Sequence, residues 1–388
     1  STFNCVFDIS NKNNNDNDNG HIIEFTNYHI LNNEEIDIEQ IQSDTNEHVK
    51  TKNQKAISYG PYSPIKINTV YNIKNILPLS GKRVPIITII SAFKNPYLVN
   101  DVKKFGQLFG LPPCNLKVYN FSRYFSVGWA IETTLDVQWA YAINPYAEIR
   151  VIQAASANII DLFNAIKYAN NKKNFKPPID TDIISMSFGS SENSNLIKYG
   201  NYFSNTNTIY LAASGDKNNV SFPSTCSNVI AVGGTTLGLN INNTREIENV
   251  WGLTGCGYSK YFTKPFYQPN LFNNNFKITP DLCCVADSNT PCFIVLNGKV
   301  YTIGGTSLSC PIYAGIMSII TQKLINENKR TFTSVQNCQN TIQPILYNLI
   351  NTFYDVTQGN SGTNQAKPGF DSASGLGVID IDKICANL

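Results

Sequence analysis

The stretch GGTSLSCPIYAG at 304–315 places one serine, Ser307, in a setting typical of a catalytic nucleophile. Two glycines and a threonine precede Ser307, and an apolar run with helical spacing follows it. A serine hydroxyl needs a neighbouring base to take its proton. The usual base is histidine, but the three histidines of the chain, His21, His29 and His48, all lie in its first fifty residues. We therefore expect another proton acceptor, unless one of these histidines enters the site.

Two carboxylates in GWAIETTLDVQWAYA at 128–142 have a suitable spacing for this task. Glu132 and Asp136 are four residues apart, so on a helix they lie on one face, about one turn from each other. The large apolar residues around them raise the cost of keeping two like charges together, which suggests a use for the pair. A solvated acidic helix edge is the alternative. A glutamate titrates near about 4.3, so a Glu base suits a reaction in acid.

A third carboxylate, Asp216, ends the stretch AASGD at 212–216, just beyond a predicted strand. A carboxylic acid that stays protonated can donate a hydrogen bond to an oxyanion that develops during a reaction. The alternative is that Asp216 caps the turn that follows it.

Predicted strands and helices alternate between residues 84 and 236 and decide where these side chains lie. The strand pattern is found in VPIITIISAF at 84–93, EIRVIQAA at 148–155, DIISMSFG at 182–189, TIYLAASGD at 208–216 and VIAVGGTT at 229–236, and the helical pattern in VNDVKKFGQLFG at 99–110 and NIIDLFNAIKYANN at 158–171. This order predicts an α/β fold with a mainly parallel sheet flanked by helices on both faces. Sites in such folds lie at the carboxyl ends of the strands, where Ser187, Ser214 and Asp216 are found.

Charge is unevenly distributed along the 388 residues, although the net charge is only +2. Residues 1–57 hold ten acidic side chains and four lysines, a net charge of −6, which leaves +8 on the remainder. The basic excess is dispersed, so nucleic-acid binding is not indicated. No apolar run reaches the roughly 18 residues of a membrane-spanning helix. We expect residues 1–57 to be an acidic, Asn-rich N-terminal tail or a propeptide remnant, and residues 58–388 to form the folded domain.

Cysteine and asparagine usage favours an extracytoplasmic setting. Ten cysteines lack the paired CxxC spacing of a zinc site, and Cys283 or Cys284 with Cys292 could close a short disulfide loop. Three triplets fit the N-glycosylation pattern: Asn120-Phe-Ser, Asn219-Val-Ser and Asn242-Asn-Thr. These features indicate a secreted, lysosomal or vesicular, or virion-associated protein.

Taken in order, the motifs resemble those of the sedolisins, or serine-carboxyl peptidases, a family that includes the kumamolisins and lysosomal tripeptidyl peptidase. The resemblance spans roughly residues 59–388. It rests on FGLPPC at 109–114, ETTLDVQWAYAINP at 132–145, IISMSFGSSE at 183–192, AASGD at 212–216, FPSTCSNVIAVGGTTL at 222–237, PDLCCVAD at 280–287, YTIGGTSLSCPIYAGI at 301–316 and DVTQGNSGTNQAKPGFDSASGLG at 355–377. The resemblance implies a subtilisin-like α/β fold and activity at acidic pH.

The same resemblance implies a role for each candidate residue. Ser307 would be the nucleophile, and Glu132 the general base that later acts as an acid. Asp136 would orient Glu132 and share its proton. Asp216 would take the oxyanion role, with the backbone N–H of Ser307 as the second donor. Lys217 stands where the family commonly has serine, and it could shift Asp216 toward its ionised form.

The C-terminal motif resembles the single calcium site of the family. Asp355 and Asp371 would supply carboxylates, and Val356, Lys367 and Gly369 would supply backbone carbonyls. Together with water these groups would give the all-oxygen shell that calcium prefers.

The expected function is therefore that of an acid-acting serine-carboxyl endopeptidase, a monomer that cleaves peptide or protein substrates through an acyl-enzyme. A tripeptidyl exopeptidase is a variant within the same class. A structural or binding protein that keeps the fold without activity is the alternative from another class. A Ser-His-Asp protease remains open if a histidine of the tail reaches Ser307. We further expect the acidic tail to inhibit the basic body at neutral pH.

Overall fold

The computed structural model describes residues 30–31, 56–74, 81–327 and 342–388. The predictions for residues 1–57, including the role of the tail and the positions of the three histidines, lie almost entirely outside the described residues. Within the tail, Ile30–Leu31 form a short strand, β1, that pairs antiparallel with residues 302–303 of the folded domain.

Strands and helices alternate along the folded domain, as the sequence predicts. The remaining strands are β2 (Ile86–Ala92), β3 (Asn115–Asn120), β4 (Glu148–Ala154), β5 (Ile183–Met186), β6 (Ile209–Ala213), β7 (Val229–Leu239), β8 (Arg245–Val250), β9 (Gly257–Thr263), β10 (Phe276–Thr279), β11 (Leu282–Val285), β12 (Cys292–Leu296), β13 (Lys299–Ile303), β14 (Phe353–Tyr354), β15 (Asn360–Ser361), β16 (Asn364–Gln365) and β17 (Val378–Ile379). The α-helices are α1 (Pro64–Val70), α2 (Leu98–Phe109), α3 (Val127–Ile143), α4 (Ile159–Asn170), α5 (Thr306–Asn326), α6 (Ile342–Asn348) and α7 (Ile381–Ala386).

The central sheet has eight strands and is mainly parallel. Seven strands follow the order β11-β7-β6-β5-β2-β4-β3, and every neighbouring pair among them is parallel. The eighth strand, β8, pairs antiparallel with β7 at one edge. Strands β2 and β4 are buried along their whole length, as β-branched runs covered on both faces should be.

Helices cover both faces of this sheet, so the predicted fold class is confirmed. Helices α3 and α5 pack on one face, and α2 packs against α3 and β12; all three contribute to the larger hydrophobic core, while α4 packs on the other face above a second core. Helices α3 and α5 also pack against each other. This contact matters for function because α3 carries Glu132 and Asp136, and α5 carries Ser307.

Helix α5 is long and apolar enough to cross a membrane by length and composition alone, but most of it is buried inside the domain. Such burial is typical of the core helix of a globular protein. No other helix among the described residues meets these criteria.

The expected disulfide between Cys283 or Cys284 and Cys292 is absent, which corrects the sequence interpretation. All three are free, fully buried thiols. Cys283 and Cys284 belong to β11 in the central sheet, whereas Cys292 begins β12 in the separate hairpin with β13. Each cysteine therefore packs as a small apolar side chain within its own sheet.

Candidate active site

The candidate catalytic residues come together at the carboxyl edge of the central sheet. Ser187 follows β5 directly, Asp216 lies just beyond β6, and Ser307 is the second residue of α5. Helix α3 brings its carboxylates to the same place by packing along α5.

The two glycines before Ser307 allow the close approach that begins α5. The backbone of Gly304 lies so near the segment that contains Ala286 that a Cβ atom at Gly304 would be 2.6 Å from the Ala286 carbonyl oxygen. Gly305 has a φ of 113°, a conformation that favours glycine, and its N–H donates to the same carbonyl. Thr306 and Ser307 therefore start the helix in one fixed position.

Glu132 is a buried carboxyl group next to the Ser307 hydroxyl. Its side chain is 1% exposed, and the hydroxyls of Ser307 and Ser187 lie near enough to its carboxyl group to lower its pKa. Burial raises the pKa of Glu132 well above its usual range, and the charge of Asp136 raises it further, while the nearby Ser307 hydroxyl lowers it. The interpretation as a solvated acidic helix edge is wrong, because both Glu132 and Asp136 are buried.

Asp136 lies one helical turn beyond Glu132 and has a partner that the sequence did not reveal. The hydroxyl of Ser187 donates to Asp136 Oδ1 at 2.6 Å, while Asp136 Oδ2 has no partner among the described residues. Burial raises the pKa of Asp136 well above its usual range, and the bond from Ser187 lowers it. The signal in the sequence was the position of Ser187 directly after a buried strand, which gives its location but not its partner.

Asp216 is also buried, and it is hydrogen-bonded to Thr306, the first residue of α5. Its Oδ1 accepts hydrogen bonds from the backbone N–H and the hydroxyl of Thr306, both at 2.8 Å. Its Oδ2 has no partner in the described part of the chain. Burial raises the pKa of Asp216 from 3.8 to about 7, against the lowering effect of the two bonds from Thr306. Lys217 is exposed, and the net shift of Asp216 is toward the protonated form.

The residues of the C-terminal motif form a separate group. Asp355 Oδ2 accepts the N–H of Gly369 at 2.8 Å, and Asp371 Oδ2 accepts the N–H of Lys367 at 2.8 Å. Both carboxylates therefore converge on one short loop, and Asp371 is only 4% exposed. The Val356 carbonyl lies at the same place, since its oxygen is 3.3 Å from Ser374 Oγ, which is in turn 3.1 Å from Asp371 Oδ1.

This group fits calcium in the kind of atoms that it offers. Two hard carboxylates and nearby backbone carbonyls match the ligands that calcium takes, and Asp371 is a buried acid that a cation would stabilise. Among the described residues no cluster of three or more His, Cys, Asp or Glu side chains is found, so any metal here would depend on backbone oxygen atoms.

Comparisons with known proteins agree with this architecture. A family model described as the subtilase family, peptidase S8, matches residues 142–377. The chain is 26% identical to tripeptidyl-peptidase sed4 of Aspergillus fumigatus over 81% of its length, 30% identical to kumamolisin of Bacillus sp. (strain MN-32) over 63%, and 24% identical to tripeptidyl-peptidase 1 of Dictyostelium discoideum over 87%. It spans 64%, 48% and 61% of these relatives, respectively.

A solved structure shows the same fold. The chain superimposes on Pseudomonas sedolisin, a serine-carboxyl proteinase complexed with two molecules of pseudo-iodotyrostatin, with a TM-score of 0.71 at 22% sequence identity. The match covers 84% of this chain and 97% of the sedolisin chain. The chain therefore belongs to the subtilase family of serine-type peptidases, and within it the chain is similar to sedolisin, kumamolisin and tripeptidyl-peptidases.

Proposed function

We propose that this protein is an acid-acting serine-carboxyl endopeptidase with Ser307 as its nucleophile. The observation that carries the proposal is the buried carboxyl group of Glu132 beside the Ser307 hydroxyl, with Asp136 one turn away. No histidine is present among the described residues to serve as a base. The three histidines of the tail lie outside them, so a Ser-His-Asp mechanism stays an alternative for experiment.

In the proposed acylation step, Ser307 Oγ attacks the carbonyl carbon of the scissile peptide bond, and its proton passes to Glu132. The carbonyl oxygen becomes an oxyanion that accepts hydrogen bonds from protonated Asp216 and from the N–H of Ser307. That N–H belongs to the first turn of α5, at the N-terminal end of the helix. Glu132 then gives its proton to the leaving amine, and the C–N bond breaks.

In deacylation, water attacks the Ser307 ester, and Glu132 takes a proton from that water. The proton returns to Ser307 Oγ as the carboxylic acid product leaves. Asp136 holds Glu132 in place and shares its proton, so the two groups titrate as one coupled pair.

The proposed preference for acid follows from the pKa directions. Asp216 donates to the oxyanion only in its protonated form, and with a pKa of about 7 it is protonated through the acidic range. Glu132 accepts a proton only while it is ionised, so activity must fall again at low pH. The proposal therefore requires that Glu132 ionise at a lower pH than Asp216, and the working range lies between the two ionisations.

We propose one calcium ion at the C-terminal motif, held by the carboxylates of Asp355 and Asp371 and by the carbonyls of Val356, Lys367 and Gly369. The ion would neutralise two neighbouring acids and fix the loop that carries them. No catalytic step depends on it.

A tripeptidyl exopeptidase is the second candidate, and the tripeptidyl-peptidase names of two of the relatives favour it. The two activities differ in whether a free N-terminus is needed. A decapeptide with an acetylated N-terminus and its unblocked twin distinguish them. An endopeptidase cleaves both, whereas a tripeptidyl peptidase cleaves only the unblocked peptide and releases tripeptides, which mass spectrometry detects.

The activity itself is tested by peptide cleavage from pH 3 to 7, with calcium present, for the wild type and for Ser307→Ala. Ser318→Ala is the matched control, because Ser318 is another buried, hydrogen-bonded serine of α5. We expect cleavage in acid that Ser307→Ala abolishes and Ser318→Ala retains. If the wild type, with and without residues 1–57, cleaves nothing at any pH, the protein is a structural or binding member of its family.

We also propose a secreted or lysosomal setting, which the tripeptidyl-peptidase relatives favour. The comparisons give no support to the virion-associated setting. The three candidate glycosylation asparagines are exposed, as attachment would require: Asn120, Asn219 and Asn242. A peptide or protein substrate and a monomeric state remain predictions.

A further inference from the structure

The two oxygen atoms of Asp216 have different surroundings. Oδ1 accepts two hydrogen bonds from Thr306, one from the backbone N–H and one from the hydroxyl, whereas Oδ2 is buried and has no partner among the described residues. Asp216 is 5% exposed and Thr306 is fully buried. Solvent therefore does not make the two oxygen atoms equivalent.

The direction of both bonds from Thr306 is fixed. A backbone N–H is always a donor. The Thr306 hydroxyl accepts the N–H of Gly215 at 3.1 Å, which directs its own proton toward Asp216 Oδ1. A proton on Oδ1 would face these two donors, while a proton on Oδ2 would face none. The geometry therefore favours the carboxylic acid with Oδ1 as the carbonyl oxygen and Oδ2 as the hydroxyl.

We propose that Thr306 is a positioning residue that keeps the proton of Asp216 on Oδ2, so that Asp216 can donate a hydrogen bond to the oxyanion. This inference rests on the proposed function, in which Asp216 has the oxyanion role. Thr306 itself contacts no substrate in this scheme; it acts through Asp216.

Asp216 also has other ionisable groups in its surroundings. Glu132, on α3, lies near enough for its charge and that of Asp216 to interact, and Asp136 lies one turn behind it. Lys217 follows Asp216 in the chain and is exposed. All three stay unchanged in the variants below, so a change in the pH profile reports on the bond between Thr306 and Asp216.

Three variants in the full chain test the proposal. Thr306→Val keeps the shape and the backbone N–H but loses the hydroxyl, and Thr306→Ser keeps both donors. Thr321→Val is the matched control, because Thr321 is a buried threonine of the same helix whose hydroxyl bonds to the Met317 carbonyl far from the site. Thermal unfolding of each variant checks its folding.

The first readout is the infrared carbonyl band of protonated Asp216, identified by its loss in Asp216→Asn. A carbonyl oxygen that loses one of two hydrogen bonds vibrates at higher frequency. We expect the band to move up in Thr306→Val and to return in Thr306→Ser. An unmoved band in a folded Thr306→Val protein would mean that Oδ1 is not the carbonyl oxygen, and this overturns the proposal. This readout needs no catalysis, so it holds even if the proposed function fails.

The second readout is the pH profile of kcat/KM. The hydrogen bonds from Thr306 lower the Asp216 pKa, so losing one of them raises it. Thr306→Val should lower kcat by about tenfold, less than the loss of a whole oxyanion donor, and should move the basic limb to higher pH. Thr306→Ser should restore both, and Thr321→Val should change neither. A lower kcat with an unmoved basic limb would indicate a merely structural role and overturn the proposal, whereas a wild type without activity would refute the proposed function instead.

Discussion

The buried acid Asp216 should make the stability of this protein depend on pH in a way that one substitution removes. Its pKa is about 7 in the folded protein, against 3.8 for an ordinary aspartate. In the unfolded chain the group ionises as the pH passes 3.8, while in the folded protein it keeps its proton until about pH 7. The unfolded state is therefore increasingly favoured across this interval, and stability present below pH 3.8 is lost as the pH rises toward 7.

The size of the effect follows from the shift. A difference of about three pKa units, at about 1.4 kcal/mol for each unit, corresponds to about 4 kcal/mol of unfolding free energy between pH 4 and pH 7.5. This is a large part of the roughly 5–15 kcal/mol that stabilises typical native proteins. Asp216→Asn removes the titration and leaves the shape of the side chain almost unchanged.

The measurement is denaturant unfolding at half-unit intervals from pH 4 to pH 7.5, for the wild type, Asp216→Asn and Asp382→Asn. Asp382 is the control because it is an exposed aspartate, paired with the exposed Lys74. The wild type and Asp382→Asn should lose about 4 kcal/mol more than Asp216→Asn over this interval. Glu132 and Asp136 titrate in all three proteins, and because the charge of Asp216 raises the pKa of Glu132, the difference reports Asp216 together with its interaction with Glu132. Equal pH dependence in the wild type and Asp216→Asn would refute the reasoning.

Four further outcomes are expected. Glu132→Gln should lower kcat by at least about 100-fold at every pH without lowering the melting temperature, because it removes the base and a buried ionisable group; activity retained in kinetic assays would exclude the base role. Ser187→Ala should cost about tenfold in kcat and raise the apparent pKa of the coupled pair, because Asp136 loses its donor; an unchanged pH–rate profile would argue against this. Chelation of calcium should lower the melting temperature, and Asp371→Asn should weaken calcium binding in calorimetry, unless the motif holds no ion. Deletion of residues 1–57 should raise activity at pH 6 more than at pH 4, and an equal effect would exclude inhibition by the tail.

The parallel core of the fold was predictable because its signals are local. The β-branched run at 148–155 corresponds to β4 at Glu148–Ala154, and the helical spacing at 99–110 corresponds to α2 at Leu98–Phe109. Each pattern reflects burial of that segment alone, so no knowledge of its partners is needed. The antiparallel hairpins were not predicted. In β9 exposed and buried positions follow no simple alternation, and its pairing with β10 contains an irregular register.

Residue types and helical spacing predicted which side chains belong to the candidate site, but not what surrounds them. The spacing of Glu132 and Asp136 predicts a shared helix face, but their burial depends on α5, which comes from a distant part of the chain. The hydrogen-bond partners of Asp136 and Asp216 could not be predicted either, because each partner is also distant in the chain. Ser187 is 51 residues from Asp136, and Thr306 is 90 residues from Asp216. The disulfide prediction failed similarly, because short spacing in the chain does not show that two cysteines belong to different sheets.

The structure also locates the origin of the proposed preference for acid. The low content of charged residues, 15%, is a property of the whole chain, and it predicts tolerance of acid without any need for it. The need comes from three carboxyl groups buried in one site, those of Glu132, Asp136 and Asp216, whose pKa values are all raised first by burial. Ionising them at neutral pH places like charges together without solvent, which opposes folding. It also removes the donor that the oxyanion requires. Because the proton on Asp216 serves both stability and the hydrogen bond to the oxyanion, this residue couples the two, and a rise to neutral pH should weaken both together.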